Sequence, residues 1–104
     1  MCLQRVGAQH LLSATVTHYK LYMWYIYILK GSSNPQYYIG FTQDLKLRLE
    51  EHNKGSNSST KRGRPWKILY YEAYCEEILA RQREEVLKKY GKAWQALKKR
   101  ISSI

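Results

Sequence analysis

The stretch Met23-Trp24-Tyr25-Ile26-Tyr27-Ile28-Leu29 decides the fold of this chain. Residues 24–28 are all aromatic or β-branched, and this composition favours a β-strand. Alternate side chains of a strand point to opposite faces of its sheet. One face here carries Tyr25, Tyr27 and Leu29, and the other carries Trp24, Ile26 and Ile28. Because both faces are largely apolar, we expect this strand to be covered on both sides.

The residues after this strand predict a hairpin and then a helix. Turn formers fill 30–36, and a second apolar run at 37–41 predicts the antiparallel partner of the first strand. Thr42 is the expected cap of the following helix, which should end between Asn53 and Gly55. A polar surface loop then leads to the next strand.

The C-terminal part of the chain predicts one further strand and two helices. Residues 66–74 alternate in part, strong helix formers dominate 76–89, and Gly91 is a plausible break before a last basic helix. That helix carries Trp94, Leu97 and Ile101 on one face. The predicted fold class is α+β in the order β-β-α-β-α-α, a small three-stranded antiparallel sheet flanked by helices.

A chain of 104 residues has room for one domain, which excludes a second catalytic domain. We place that domain at 23–104, because no sustained period precedes Met23. Residues 1–22 are then an N-terminal extension, either disordered or preceding the natural start at Met23. An added helix or strand docked on the domain is the alternative.

The charge of the chain is strongly positive. Lys and Arg number 18 against 8 acidic residues, which gives a formal net charge of +10. A charge of this size concentrates polyanions around a small protein, so nucleic acid is the first partner to consider. A ribosomal or merely soluble basic protein would have the same composition.

The cysteines and the hydropathy indicate the compartment. Cys2 and Cys75 form neither a C-x-x-C pair nor a cluster with histidine at zinc-site spacing. Lone thiols are typical of a reducing environment, so we expect a cytoplasmic protein. No run approaches the ~18 apolar residues of a membrane span, and no membrane association is expected.

Four residues near the hairpin and the first helix could carry chemistry. Arg48 and His52 are four residues apart on a predicted helix and therefore share a face, just after a hairpin that bears Tyr27 and Tyr38. Glu84 lies on the second long helix. The alternatives are ordinary contacts: Arg48 paired with Asp44 or Glu51, His52 capping its helix, and Glu84 paired with Lys88.

The joint pattern resembles a known family. Its elements are Tyr25-Ile26-Tyr27, Tyr38-Ile39-Gly40, Arg48, His52-Asn53 and Arg83-Glu84. In order and spacing these elements resemble the GIY-YIG endonucleases, most closely the small stand-alone bacterial members. The nuclease domain of the excision-repair subunit and those of homing endonucleases are similar. The resemblance implies the GIY-YIG nuclease fold and hydrolysis of phosphodiester bonds.

The resemblance also implies a role for each site residue. Tyr27 would help to activate the attacking water, Tyr38 would line the site as a second phenol, Arg48 would hold the scissile phosphate, His52 would assist proton transfer or positioning, and Glu84 would bind a single divalent cation, Mg2+ or Mn2+. Gly40 would allow close packing at the strand end. Larger relatives use a late asparagine, and none follows Asn57 in this chain.

The chemistry that the resemblance implies requires a lowered pKa of Tyr27. A phenol has a reference pKa of ~10, so its use as a base near neutral pH requires a downward shift of about three units. Positive charge from Arg48, the cation or a protonated His52 is the expected source of that shift.

Five further cations are candidates for contacts with nucleic-acid phosphates. They are Lys46, Lys54, Lys61, Arg62 and Arg64. A solvated basic loop is the alternative. The leading hypothesis is a metal-dependent DNA endonuclease, structure- or damage-selective or weakly specific, with a protein partner as one source of specificity. The second is a non-catalytic nucleic-acid-binding module within a larger complex, and the third is a ribosome-associated protein.

Overall fold

The computed structural model describes residues 5–6, 23–32 and 36–102. Within these ranges the elements are β1 (Arg5–Val6), β2 (Trp24–Gly31), β3 (Tyr37–Thr42), α1 (Leu45–Lys54), a 3-10 turn (Lys61–Gly63), β4 (Trp66–Tyr74), α2 (Glu77–Lys89) and α3 (Gly91–Ser102). The predicted order β-β-α-β-α-α is confirmed from β2 onwards.

The sheet is antiparallel, and its strands lie in the order β1-β4-β2-β3. The predicted three-stranded sheet, formed by β2, β3 and β4, is confirmed. The two-residue strand β1 adds to the edge at β4, where Arg5 pairs with Ala73. The strand β1 belongs to the segment 1–22 that the sequence predicts as an extension, and the rest of that segment lies outside the described residues.

Strand β2 is covered on both faces, as its composition predicts. One face joins a cluster with α2 and α3, whose buried members are Ile26, Ile28, Tyr74, Ala80, Leu87, Leu97 and Ile101. The other face joins a second cluster with Tyr27, Leu29 and Trp66, against which Tyr38, Leu45, Leu49, Ile68 and Tyr71 pack. Residues 26–29 are almost fully inaccessible to solvent. The central strand therefore separates two apolar layers, and helix α1 covers the layer that contains Tyr27.

The predicted cap of α1 is wrong by two residues. Asp44 is the N-cap, and its Oδ1 accepts a hydrogen bond from the Leu47 amide at 3.0 Å. Thr42 acts one step earlier, because its Oγ1 accepts from the Asp44 amide at 3.1 Å. The helix ends at Lys54, and Gly55 adopts a left-handed conformation with φ 81°, as expected for a residue that stops a helix.

The expectation of two free thiols is also wrong. Cys75 is disulfide-bonded, and Cys2 lies outside the described residues. A disulfide is more typical of an oxidising environment, so the cysteines do not support a cytoplasmic location. No helix in the described part of the chain is long and apolar enough to cross a membrane.

A buried carboxylate joins β4 to α2. The side chain of Glu72 is only 2% exposed, and Arg83 donates to both of its oxygens, at 3.0 and 3.1 Å. The hydroxyls of Tyr70 and Tyr74 donate to it as well, at 2.8 and 2.6 Å. Burial raises the pKa of Glu72, but the hydrogen bonds from Arg83, Tyr74 and Tyr70 outweigh burial and leave its pKa below the ordinary value. The same contact, together with burial, raises the pKa of Tyr70 to about 12.

The buried ion pair predicts a large loss of stability on truncation of Arg83. Arg83→Ala leaves the Glu72 carboxylate buried without its cation, so we expect a loss of about 3 kcal/mol in the free energy of unfolding at pH 7. Lys89→Ala, which breaks an exposed pair with Glu85 on the same helix, should cost less than about 1 kcal/mol. Urea unfolding of both variants measures the difference, and equal losses would contradict it.

The pH dependence of stability follows from the lowered pKa of Glu72. In the parent protein the contribution of Glu72 is present above the unfolded carboxyl pKa and is lost as the pH falls through the lower folded value. In Arg83→Ala, protonation of Glu72 relieves the unpaired charge. The difference between the parent and Arg83→Ala should therefore shrink as the pH is lowered through the carboxyl range.

Candidate active site

Gly40 lets the side chain of Tyr27 lie across the neighbouring strand. Tyr27 of β2 pairs with Gly40 of β3. A Cβ atom added at Gly40 would collide with the ring and the hydroxyl of Tyr27. The glycine therefore provides the space for this phenol, whereas the resemblance implied close packing of backbone at this position.

His52 joins the phenol to the loop after α1. Its ring is fully buried, and Nε2 lies 2.9 Å from the Tyr27 hydroxyl. On the other side of the ring, Nδ1 lies 2.8 Å from Oγ1 of Thr60. The Tyr38 ring packs edge-on against the imidazole, with 4.8 Å between ring centroids. His52 thus has a polar partner on each nitrogen, and its side chain does not cap the helix.

Arg48 lies one turn before His52 and acts directly on Tyr27. Hydrogen bonding by Arg48 and its positive charge both act to lower the pKa of Tyr27. Arg48 also forms an ion pair with Glu51 at 3.0 Å, in which the two side chains are 37% and 39% exposed. An ion pair this exposed stabilises the fold little, so a phosphate can compete for the guanidinium.

Glu84 lies on α2, which packs on the face of the sheet opposite to Tyr27. Its charge raises the pKa of Tyr27, so the carboxylate lies within electrostatic range of the phenol. The carboxylate forms an ion pair with Lys88 at 3.1 Å and also lines a surface depression of about 310 Å3 on α2.

The structure brings Tyr27, Tyr38 and His52 into contact, whereas Arg48 and Glu84 act on the Tyr27 phenol through its pKa. Tyr38 and His52 contact each other by their rings, Tyr27 is hydrogen-bonded to His52, and the charge of Arg48 acts on Tyr27. Glu84 is linked to this group through its charge. The alternative ion pairs, Arg48 with Glu51 and Glu84 with Lys88, are present as well. The two interpretations of these residues are therefore compatible.

The expected lowering of the Tyr27 pKa is not found in the free protein. Burial raises the pKa of Tyr27, and the hydrogen bond and charge of Arg48 do not fully offset it. Burial also lowers the pKa of His52, and the charge of Arg48 lowers it further, against an opposing effect of Glu51. A protonated His52 is therefore disfavoured as the source of positive charge. Both groups are neutral near neutral pH.

The sequence did not predict that the loop after α1 contributes Thr60 as a partner of His52. Thr60 is buried, and its carbonyl accepts a hydrogen bond from Nε1 of Trp66 at 2.7 Å. The Asn53 side chain accepts from the Trp66 amide at 2.6 Å and donates to the Trp66 carbonyl at 3.0 Å. These contacts fix both ends of the loop. A lone threonine in a polar loop carries no signal of this role.

Three of the predicted phosphate-binding cations line one groove. It has a volume of about 850 Å3 and is lined by Asn53, Lys61, Arg62, Arg64 and Pro65. Arg64 is held in place by a hydrogen bond from its Nε to the Lys61 carbonyl at 2.8 Å. Asn53, which also lines the groove, follows the buried His52 in the chain. Lys46 and Lys54 are exposed on α1.

Glu84 is the residue predicted to bind a divalent cation, and it offers one carboxylate. Among the described residues no group of three His, Cys, Asp or Glu side chains could hold a metal ion. Glu84 offers one carboxylate, and its present partner Lys88 is 49% exposed and can give way to another cation. Mg2+ is often bound by one or two carboxylates together with substrate phosphate oxygens and water.

Comparison with known proteins identifies the family. A model described as "GIY-YIG catalytic domain" matches residues 23–102. The chain is 38% identical over 68 residues to a UPF0213 protein of Clostridium perfringens, covering 64% of this chain and 72% of that protein. It is 35% identical over 72 residues to a UPF0213 protein of Streptococcus pneumoniae, covering 68% and 69%. No solved structure matches the chain. The chain therefore belongs to the GIY-YIG family of nuclease domains, whose model covers residues 23–102.

Proposed function

We propose that this chain is a metal-dependent endonuclease that hydrolyses DNA phosphodiester bonds and selects DNA structure or damage, or is weakly specific. The observation that carries the proposal is the buried Tyr27–His52 hydrogen bond, which Arg48 contacts and which Glu84 influences by its charge. A neutral phenol bonded to a neutral imidazole is a proton path, and a surface protein that only binds nucleic acid has no need of one.

The proton path divides the chemistry between two residues. Tyr27 would pass its phenolic proton to Nε2 of His52 and, as phenolate, take a proton from the attacking water. The water oxygen would then form a bond to phosphorus as the bond to the leaving oxygen breaks, and the leaving oxygen would take a proton from solvent. The transfer from Tyr27 to His52 creates an ion pair inside a buried site, so it needs nearby charge to stabilise the phenolate.

Arg48 is the residue that would supply this charge in the chain itself. It contacts the phenol, and in the free protein the phenol is almost fully inaccessible to solvent. A phosphate that draws the guanidinium from Glu51 would bring the scissile bond to Tyr27 and open the phenol to water. Arg48 would also stabilise the charge that develops on the phosphate.

Glu84 is the residue that would hold the divalent cation, with magnesium as the first choice. The bound ion would supply positive charge next to the phosphate oxygens and so favour attack on phosphorus. Tyr38, which packs on His52, would keep the imidazole oriented and line the site. The basic groove of Lys61, Arg62 and Arg64 would hold flanking phosphates, and Lys46 and Lys54 would extend that contact.

A non-catalytic nucleic-acid-binding module is the second candidate function. It is favoured by the ion pairs that occupy Arg48 and Glu84 and by the nearly complete burial of the Tyr27 phenol. Such a module would bind through the basic groove and act within a larger complex whose partner supplies specificity.

Cleavage assays on charge variants separate the two functions. Glu84→Gln and Arg48→Ala should each lower the nicking rate of plasmid or branched DNA in magnesium by about 100-fold or more, because each removes charge that stabilises the transition state. Glu85→Gln is the matched control, because Glu85 is the exposed neighbour on α2 and pairs with Lys89. Circular dichroism and thermal unfolding check that the variants fold.

The substrate panel consists of nicked, flapped, branched and linear DNA and matched RNA, with and without Mg2+ or Mn2+. Undiminished cleavage by both Glu84→Gln and Arg48→Ala would identify a contaminating nuclease. Salt-sensitive binding with no cleavage of any substrate would favour the binding module.

The basic groove predicts the salt dependence of binding. Replacing Lys61, Arg62 and Arg64 by glutamine should reduce the slope of log K against log salt by about 0.9 for each duplex phosphate that the variant no longer neutralises. Lys99→Gln, on the exposed side of α3, should leave the slope unchanged. Fluorescence anisotropy without divalent cations gives the slopes, and an unchanged slope in the triple variant would exclude the groove as the binding surface.

A further inference from the structure

We propose that Thr60 is a positioning residue that fixes the tautomer of His52, so that Nε2 carries no proton and can accept the phenolic proton of Tyr27. This inference deepens the proposed endonuclease function and rests on it. Thr60 lies in the polar loop after α1 and contacts the imidazole on the nitrogen opposite to Tyr27.

The partners of Thr60 determine the direction of its bond to His52. The Thr60 hydroxyl has an acceptor in the carbonyl of Asn57, at 3.3 Å. With its proton directed there, the Thr60 oxygen is free to accept, and Nδ1 of His52 at 2.8 Å is the donor. A neutral imidazole carries one proton, so a proton on Nδ1 leaves Nε2 as the acceptor.

The partners of Tyr27 indicate the same arrangement. The positive charge of Arg48 acts on the Tyr27 phenol and favours a phenolic proton directed away from the guanidinium. Nε2 of His52 lies 2.9 Å away and is suited to accept that proton. In the opposite tautomer, Nε2 would donate to the Tyr27 oxygen, and the phenolic proton would lose this acceptor.

Burial and hydrogen bonds within the loop fix the position of Thr60 next to His52. The residue is buried, its amide donates to the Asn57 carbonyl at 3.2 Å, and its carbonyl accepts from Nε1 of Trp66. The groups that face the His52 ring are Tyr27 from β2, Tyr38 from β3, Arg48 and Glu51 from its own helix, and Thr60. Removal of a hydrogen-bond partner that orients a metal-bound histidine commonly changes activity 10–100-fold, and we expect an effect of the same size here.

The tautomer of His52 can be measured independently of nuclease activity. Long-range 1H–15N correlation spectra of the 15N-labelled protein at about pH 8 distinguish a proton on Nδ1 from one on Nε2. The His52 signals are assigned from their absence in His52→Gln. We expect the Nδ1–H pattern in the parent protein and in Tyr27→Phe, because Thr60 sets it. An Nε2–H pattern in the parent, or its appearance in Tyr27→Phe, would overturn the inference.

Variants at Thr60 then connect the tautomer to the reaction. Thr60→Val keeps the shape but removes the acceptor, so we expect loss of the Nδ1–H pattern and a 10–100-fold lower kcat with KM little changed. Thr60→Ser should restore both, and Ser59→Ala is the control for loss of a hydroxyl in the same loop. A Thr60→Val protein that keeps the parent pattern, or loses it with full kcat, would contradict the proposal.

The two proposals fail in different ways. If the parent protein cleaves no substrate, the endonuclease function fails while the spectra still decide the tautomer. If Thr60→Val does not fold, the parent and Tyr27→Phe spectra together with the Thr60→Ser variant still decide whether Thr60 or Tyr27 sets the position of the proton.

Discussion

The hydrogen bond between the Tyr27 hydroxyl and Nε2 of His52 is the interaction on which the rest of the structure depends. Both side chains are buried, so each polar atom must find a partner inside the protein or destabilise it. The phenol needs a glycine on the next strand for space, and the imidazole needs Thr60 on its far side. Among the described residues, no buried side-chain nitrogen or oxygen lacks a hydrogen-bond partner. Strand β2, helix α1 and the following loop are therefore joined by one polar chain through an apolar layer.

Burial has opposite effects on the two residues of this bond. It raises the pKa of the Tyr27 phenol and lowers the pKa of the His52 imidazole, so it favours the neutral form of both. In the free protein the phenol and the imidazole are therefore both neutral. In the proposed reaction the proton would move only when substrate and cations bring charge to the phenol, and this condition would couple the chemistry to binding. Two interactions that resemble surface ion pairs, at Arg48 and Glu84, hold the cationic and anionic groups until then.

The sequence predicted those parts of the site that follow from the alternation of side chains along a strand and from the four-residue spacing along a helix. Alternation along β2 placed Tyr27 on the face opposite to Ile26 and Ile28, and four-residue spacing placed Arg48 and His52 on one face of α1. The prediction that Glu84 belongs to the site came only from the family resemblance, because no sequence repeat relates a residue on α2 to a residue on a strand. Thr60 was missed because an irregular loop has no period, and the cap was misassigned because Thr42 and Asp44 both accept amide protons near the start of α1. The buried Glu72–Arg83 pair was missed because alternation assigns Glu72 a face but not a partner.

The side chain of Asn53 binds both the amide and the carbonyl of Trp66, and it thereby closes residues 54–65 into a ring at the end of α1. Chain length inside such a closed segment costs little, since doubling a flexible loop adds only about 0.6 kcal/mol of closure entropy. Thr60 divides the ring into two arcs of different freedom. The arc before it must keep the Asn57 carbonyl in place as the acceptor for the Thr60 hydroxyl, whereas the arc after it carries the exposed cations. Evolution or engineering can therefore lengthen or recharge the second arc to change which nucleic acid is held, while the proton path beneath it stays intact.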